Sequence, residues 1–284
     1  MKGNILLLTN KPHYPMPVVE AARAQIYHPT MDTLRVTELI DSPLIKRLTI
    51  ENWNNLSIDV DEIVYSSLFG TAWHEFVAKY EADAMVERRW YAKLPDSDMI
   101  LSGQTDIFKP QEGVIEDNKT QSAWAFVFST PNWERQLNVY AYLVEANGYD
   151  VRELWINSFL RDWSKYLVKK SNNDYPTHKF HRIKCNLWND DKRTRYILER
   201  LAIHNDPNYV CSDEERWRRP TTWAVKKKGT KTARRVLDSK AKAEQWITEN
   251  KPKGDVYVEE RSGGCVRCED YCTARSVCPY KDKV

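Results

Sequence analysis

Between residues 65 and 160 the hydrophobic period switches from helical to extended and back. That alternation limits the chain to a fold in which helices pack against a sheet. Leu68, Ala72, Phe76 and Tyr80 recur every four residues, which predicts a helix from Tyr65 to about Met85. Glu87 to Leu94, Met99 to Phe108 and Val114 to Thr120 then read as strands. Pro95-Asp96-Ser97-Asp98 and Lys109-Pro110-Gln111-Glu112-Gly113 separate them as turns, so an antiparallel meander is expected after the helix. A helix from about Asn132 to Asn147 follows, with Gly148 placed to end it, and then a strand from Arg152 to Leu160.

The flanks are read more coarsely. Asp32 to Trp53 is a loop entering a helix, interrupted at Ser42-Pro43, and Asp162 to Thr177 is a polar loop. Lys179 to Cys185 is a strand and Asp190 to His204 a helix. Beyond Pro207 the composition shifts: Trp223 to Lys227 and Arg234 to Asp238 form a hairpin around Gly229, and Lys240 to Asn250 a short helix. The expected organisation is a main body over 1–206, an appendage over 207–262 and a tail over 263–284. With 42% hydrophobic and 29% charged residues among 284, the chain is too apolar to be disordered. No run approaches the roughly 18 apolar residues of a membrane helix. Ile5 to Leu8 is too short for a signal-peptide core. A membrane protein, a secreted disulfide scaffold and a fibre are excluded on this reading, and the cytoplasm is the expected location.

Charge and cysteine are unevenly placed. The stretch from Glu214 to Lys253 holds 13 basic residues, Lys226, Lys227 and Lys228 among them, against five acids. It therefore carries +8, and since the whole chain carries +3 the remainder carries −5. Such a stripe is the electrostatic footprint of a phosphate-backbone partner, or else a solvated face. Four of the six cysteines fall in the last 20 residues, as Cys265-x2-Cys268-x3-Cys272-x5-Cys278. Disulfides are disfavoured in a reducing compartment, and four thiolates this close can wrap around one metal centre. Zinc and an iron–sulfur cluster both accept four cysteines, and the spacing leaves both open. Cys185 and Cys211 read as ordinary thiols.

The chemistry-bearing constellation lies in the meander. Four acid-x-Lys triplets occur, but only Asp117-x-Lys119 sits on a strand that closes a meander. Residues two apart on a strand share a face, so Asp117 and Lys119 project together, and Asp106 reaches the same face across the hairpin. His74 offers an imidazole from the preceding helix, while Gln136 and Tyr140, four apart, share a face of the following one. Carboxylates that hold Mg²⁺ or Mn²⁺ polarise a phosphate and acidify an attacking water, and a nearby lysine balances the charge that develops. An imidazole ligand makes Mn²⁺ comfortable.

Gly70-x3-His74, Gly103-x2-Asp106, Asp117-x-Lys119-Thr120 and Gln136-x3-Tyr140, in this order, resemble the PD-(D/E)XK nucleases of the RecB-like branch. Val36 to Ile40, Gln136 to Leu143, Arg161-Asp162-Trp163, Cys211 to Trp217 and the cysteine run extend the resemblance to phage and prophage-associated exonucleases. The resemblance implies an α/β restriction-endonuclease-like core, with a mixed central sheet flanked by helices. It implies a divalent-metal-dependent DNA exonuclease in phage or bacterial DNA recombination, repair or processing. Its partners would be DNA, single-stranded or with free ends, and a helicase or a single-strand annealing or binding protein. Carried over residue by residue, His74, Asp106, Asp117 and the carbonyl of Asn118 would hold Mg²⁺ or Mn²⁺. Lys119 would be the catalytic lysine, and Gln136 and Tyr140 would orient DNA or the active-site loop. Arg161, Trp163 and Lys226 to Lys228 are candidate DNA contacts, and the tail cysteines would hold a [4Fe-4S] cluster or zinc, stapling the C-terminus to the N-terminal helices.

Two departures stand out. Related nucleases often place a glutamate four residues after the motif histidine, where this chain has Ala78, leaving Glu75 and Glu81 as candidates. No cysteine precedes Cys185, so a cluster would close through the tail alone or borrow Cys185 or Cys211. The rival readings are a structure-specific endonuclease, the nuclease subunit of a helicase–nuclease assembly, an RNA-directed nuclease and a non-catalytic DNA-binding scaffold.

Overall fold

The structure is a computed structural model that describes residues 6–94, 97–128, 130–170 and 175–281, the side chains of 65, 66, 128, 130 and 131 excepted. Pro95 and Asp96 of the expected turn, and positions 171–174 of the expected polar loop, lie outside the described residues. The chain divides into two compact units, Met1–Tyr209 and Val210–Val284.

The first unit opens with β1 (Leu7–Thr9), α1 (Met16–Ala24), β2 (Thr33–Arg35), α2 (Val36–Leu39), α3 (Pro43–Glu51), β3 (Ser57–Asp59) and α4 (Val60–Ile63). β1 and β3 pair in parallel, and α1 buries Val19 and Ala22 against Val60 and Ile63 of α4. The expected loop entering a helix at 32–53 begins as a strand, β2, and the helix is in two parts that break at Ser42-Pro43. Pro43 starts α3 at its first position, where a helix has no use for the missing N–H. A single π turn, Val64–Leu68, joins α4 to α5 (Phe69–Ala78). The helix expected over 65–85 therefore starts earlier and stops seven residues sooner, because sheet pairing claims the chain from Met85. No residue of α5 is fully buried: Phe76 is 54% exposed and Tyr80 77%.

The sheet is built on β5 (Ile100–Lys109). β4 (Met85–Lys93) runs antiparallel along one edge of it, from Met85 opposite Phe108 to Lys93 opposite Ile100. Two strands share the other edge. β2 pairs in parallel with residues 100–102, and β6 (Val114–Gln121) pairs antiparallel only from Ile107 opposite Glu116 to Lys109 opposite Val114. The meander is therefore real but partly open, and β5 and β6 part company at Asp106. α6 (Ala123–Phe128) and α7 (Thr130–Ala146) lead to β7 (Glu153–Leu160), parallel to β6 along its whole length. α8 (Lys165–Lys170) occupies part of the expected polar loop, β8 (Phe180–Cys185) pairs antiparallel with β7, and α9 (Asp190–His204) closes the unit. The result is a mixed sheet flanked by helices. Asn189 caps α9 by accepting from the N–H of Lys192, and Asp190 and Asp191 complement the positive end of that helix.

The core lies between the sheet and α2, α7 and α9. Leu34, Leu39, Leu101, Phe108, Ile115, Leu137, Leu143, Leu154 and Ile156 are all under 2% exposed there. Gly103 allows this approach: a Cβ on it would lie 2.6 Å from Val36 Cγ2 and 2.8 Å from both Leu143 Cδ1 and Tyr140 Cε1. α7 ends where Gly148 adopts a φ of 87°.

In the second unit β9 (Thr222–Lys227) and β10 (Ala233–Leu237) form the expected hairpin, and α10 (Lys240–Asn250) packs against it. A third strand, β11 (Val256–Arg261), lies antiparallel on the other edge of β9 and was not expected. Its run of Glu259, Glu260 and Arg261 hides the apolar alternation. Among the described residues no helix is long and apolar enough to cross a membrane.

Candidate active site

The splay between β5 and β6 creates the site. Past Ile107 the two strands no longer exchange backbone hydrogen bonds, and the Asp106 carboxylate spans the gap. Its Oδ2 accepts from the backbone N–H of Asn118 at 2.6 Å. Asp106 thereby sits 9% exposed beside Asp117, which is 2% exposed. Burial, and then the neighbouring Asp117 charge, push the Asp106 carboxyl well above the usual carboxylate range.

Asp117 and Lys119 do share a face of β6, and their Oδ2 and Nζ are 2.6 Å apart. Gln136 on α7 ties them together. Its Oε1 accepts from Lys119 at 3.1 Å, while its Nε2 faces Asp117 Oδ1 at 3.3 Å and donates to the Tyr140 hydroxyl at 2.9 Å. Burial works against the Lys119 ammonium, but Asp117 and Asp106 outweigh it and its pKa is raised. Burial and the Asp117 charge also raise the Tyr140 phenol, which stays protonated as a neutral hydroxyl.

His74, on α5, completes the group. Its Nε2 lies 2.8 Å from the carbonyl oxygen of Asn118. A carbonyl only accepts, so Nε2 carries the proton and Nδ1 is left facing 3.5 Å to Asp106 Oδ1 and 3.7 Å to Glu87 Oε1. A lone pair on Nδ1 aimed at two carboxylates is the geometry of a ligand atom with a cation between them. The Asn118 carbonyl, expected to face the metal, accepts from His74 Nε2–H and so orients the ring. That is the usual service of the atom behind a ligating histidine.

Glu87 was missed in the sequence. The expected alternatives go elsewhere, since Glu75 is exposed and Glu81 pairs with Lys109 at 3.6 Å. The available signal was hairpin arithmetic: counting back from Lys93 opposite Ile100, position 87 falls opposite 106. One ligand atom each from His74, Glu87 and Asp106 can be chosen so that all lie within 4.8 Å of one another. Asp117 Oδ2 is buried without a well-formed hydrogen bond, its neighbour being the Lys119 ammonium. An imidazole nitrogen beside converging carboxylates is a donor set that fits Mg²⁺ poorly and Mn²⁺ well.

The other expected site residues are placed differently. Trp163 is half-buried: it donates its indole N–H to the Pro176 carbonyl at 2.8 Å, packs on Ala123, Leu160 and Tyr175, and has Lys179 Nζ 5.6 Å from its ring. Arg161 accompanies it, its backbone N–H donating to Gln121 O at 2.9 Å and its guanidinium 5.8 Å from the Phe69 ring. In the second unit Lys226 is bound to Glu259 at 2.8 Å and its side chain is 14% exposed, so it is a cross-strand ion pair. Lys227 and Lys228 are exposed. Cys265 is buried and Cys268, Cys272 and Cys278 half-buried. Burial, then Cys265 and Cys272, raise the thiol of Cys268, which places these groups near one another. Among the described residues no three of the tail sulfurs lie mutually within 4.8 Å. Cys185 stands apart at the end of β8, its thiol pushed up to about 11 by burial.

No family model matches the chain, and no curated protein does. Three solved structures show likeness to it. The protein SSO0001 is 15% identical over 68% of this chain and 87% of its own, with a TM-score of 0.47. A phage-related exonuclease from Haemophilus somnus 129PT is 13% identical over 66% of this chain and 78% of its own, with a TM-score of 0.30. The alkaline exonuclease LHK-Exo from Laribacter hongkongensis is 12% identical over 65% of this chain and 91% of its own, with a TM-score of 0.33.

Proposed function

We propose that the chain is a divalent-metal-dependent DNA exonuclease of the PD-(D/E)XK type. The observation that carries this reading is the meeting of His74, Asp106, Asp117 and Lys119 where β5 and β6 splay, with Asp117 and Lys119 ion-paired at 2.6 Å. His74, Asp106 and Asp117 would hold Mn²⁺ or Mg²⁺, which when bound would supply positive charge for the phosphate and acidify water. Lys119 brings an ammonium to the same place, where it offsets the negative charge gathering on the phosphoryl oxygens. Gln136 holds that ammonium and Asp117 in register, and Tyr140 holds Gln136. Both are positioning residues.

DNA would follow the exposed lysines, Lys227 and Lys228, of the second unit. The four tail cysteines would take one metal centre, iron–sulfur or zinc. A brown anaerobic preparation supports the cluster, and a colourless protein containing zinc rejects it.

The test of the activity is a Mn²⁺ and Mg²⁺ time course on end-labelled linear and covalently closed DNA, single- and double-stranded, with Asp117→Ala beside the wild type. Metal-dependent loss of linear DNA alone, abolished in the variant, is expected. Cleavage of closed circles would make the protein an endonuclease, and tight binding without cleavage would make it a scaffold.

A further inference from the structure

We propose that Glu87, reaching in from β4, is a metal ligand of this site. The inference rests on the metal-site reading above and adds a residue that the motif pattern does not contain.

Three observations aim this side chain. First, β4 and β5 keep one register on both sides of it, with Val86 opposite Ile107 and Arg88 opposite Thr105, yet Glu87 and Asp106 between them do not pair. Glu87 has a φ of 49°, the left-handed region that a β-strand residue with a side chain avoids. The backbone there is twisted out of the ladder without inserting a residue. Such strain persists only where the surroundings enforce it, and it gathers at functional sites. Second, one oxygen of the carboxylate is anchored. Oε2 accepts from Gln104 Nε2 at 2.5 Å, and Gln104 is itself fixed by Arg89, which donates to its Oε1 at 2.7 Å. Oε1 is left to face His74 Nδ1 at 3.7 Å. Third, that oxygen, the imidazole nitrogen and Asp106 Oδ1 converge on one point, with the Nε2 side of the ring pinned by Asn118.

A strained backbone, an anchored far oxygen and a free near oxygen describe a ligand held ready for a cation. Two anionic oxygens and one neutral nitrogen neutralise a divalent ion, and the nitrogen favours Mn²⁺ over Mg²⁺. Gln104 and Arg89 stand behind Glu87 as positioning residues, as Asn118 stands behind His74.

The test is Mn²⁺ binding by the full chain without DNA, followed by the loss of the free-ion paramagnetic resonance signal and by calorimetry. Glu87→Gln should weaken Mn²⁺ binding by roughly tenfold or more, and Gln104→Leu by a smaller factor. Glu87→Gly accepts the left-handed backbone freely, so it guards against a folding artefact. It should melt no lower than wild type without metal, yet lose the rise in melting temperature that Mn²⁺ gives the wild type. Wild-type Mn²⁺ affinity in both Glu87 variants overturns the assignment of Glu87. Absence of Mn²⁺ binding by the wild type overturns the metal site itself, and the nuclease reading with it.

Discussion

Gly103→Ala tests whether α7 and α2 seat on β5 as described, and through them whether the site is held together by packing. The new methyl would lie 2.6 Å from Val36 Cγ2 and 2.8 Å from Leu143 Cδ1 and Tyr140 Cε1, each nearer than real carbon contacts allow. All three neighbours are buried, at 1%, 0% and 5% exposure, so none can swing into solvent. Overpacking of this kind costs about 1–3 kcal/mol. Replacing glycine by alanine returns about 0.4–1 kcal/mol by restricting the unfolded chain. At mid-range values the net destabilisation is about 1.3 kcal/mol, or a fall of roughly 3–5 °C in the melting temperature of a unit this size. Tyr140 is the neighbour with a function, because its hydroxyl accepts from Gln136 at 2.9 Å. Displacing its ring loosens Gln136 and, through it, the Lys119–Asp117 pair. Denaturation by urea, with and without the added substitution Val36→Ala, measures the effect. Val36→Ala removes the nearest clashing atom and should recover part of the loss in the double variant. A Gly103→Ala protein as stable as wild type, with undiminished cleavage, would refute the packing on which the site depends.

Further outcomes follow from other parts of the molecule. Lys119→Ala should lower the cleavage rate by about a hundredfold or more while Mn²⁺ binding persists, since the ammonium acts on the phosphate rather than on the cation; a rate within a few-fold of wild type removes it from the chemistry. His204, with Nε2 3.3 Å from the Leu39 carbonyl, has its pKa lowered to about 4 by burial and then by Arg200. The unfolded chain protonates it near 6.5, so stability should fall as pH drops from 6.5 towards 4, by up to about 3 kcal/mol, and His204→Gln should remove that part of the slope. An unchanged pH dependence in the variant counts against this burial. In the tail, a Cβ on Gly263 would lie 1.6 Å from the Arg219 carbonyl oxygen, so Gly263→Ala should break the neighbouring bond from Arg219 N–H to Gly264 O and expose Cys265 to maleimide. Labelling equal to that of wild type would show that the tail does not need this approach. Lys227→Ala with Lys228→Ala should reduce the slope of log affinity against log salt by about 1.5–2, whereas an unaltered slope would mean the lysines meet only solvent.

Where local pattern and tertiary demand agree, the elements stand where the sequence puts them. Asp190 to His204 forms its helix to the residue because Asn189 caps it and two aspartates open it. The strands at 85–93, 100–109 and 114–121 lie within two residues of expectation, since each is bounded by a turn. The failures share a cause. The helix expected to reach Met85 has no breaker in its sequence and ends at Ala78 only because β4 must start where β5 can receive it. β11 was lost because its inner face is carried by Val256 and Val258 alone, before charges take over.

The site divides along the same line. Spacings of two and four residues are facts of a single element, and they brought Asp117 to Lys119 and Gln136 to Tyr140 without knowledge of the fold. Asp106 and His74 belong to other elements, and what joins them is a carboxylate crossing a gap and a carbonyl steering a ring, neither of which has a spacing. Glu87 is further still from legibility. Its position opposite Asp106 follows from hairpin counting, but pairing alone does not say that it is needed there. What marks it is a left-handed backbone at a residue with a side chain, a departure from the local rule that only the folded molecule displays. A residue that breaks its own element's preference and meets two others at one point has a reason that lies outside the element. In this chain the reason is a cluster of two carboxylates and an imidazole that no strand requires for its stability.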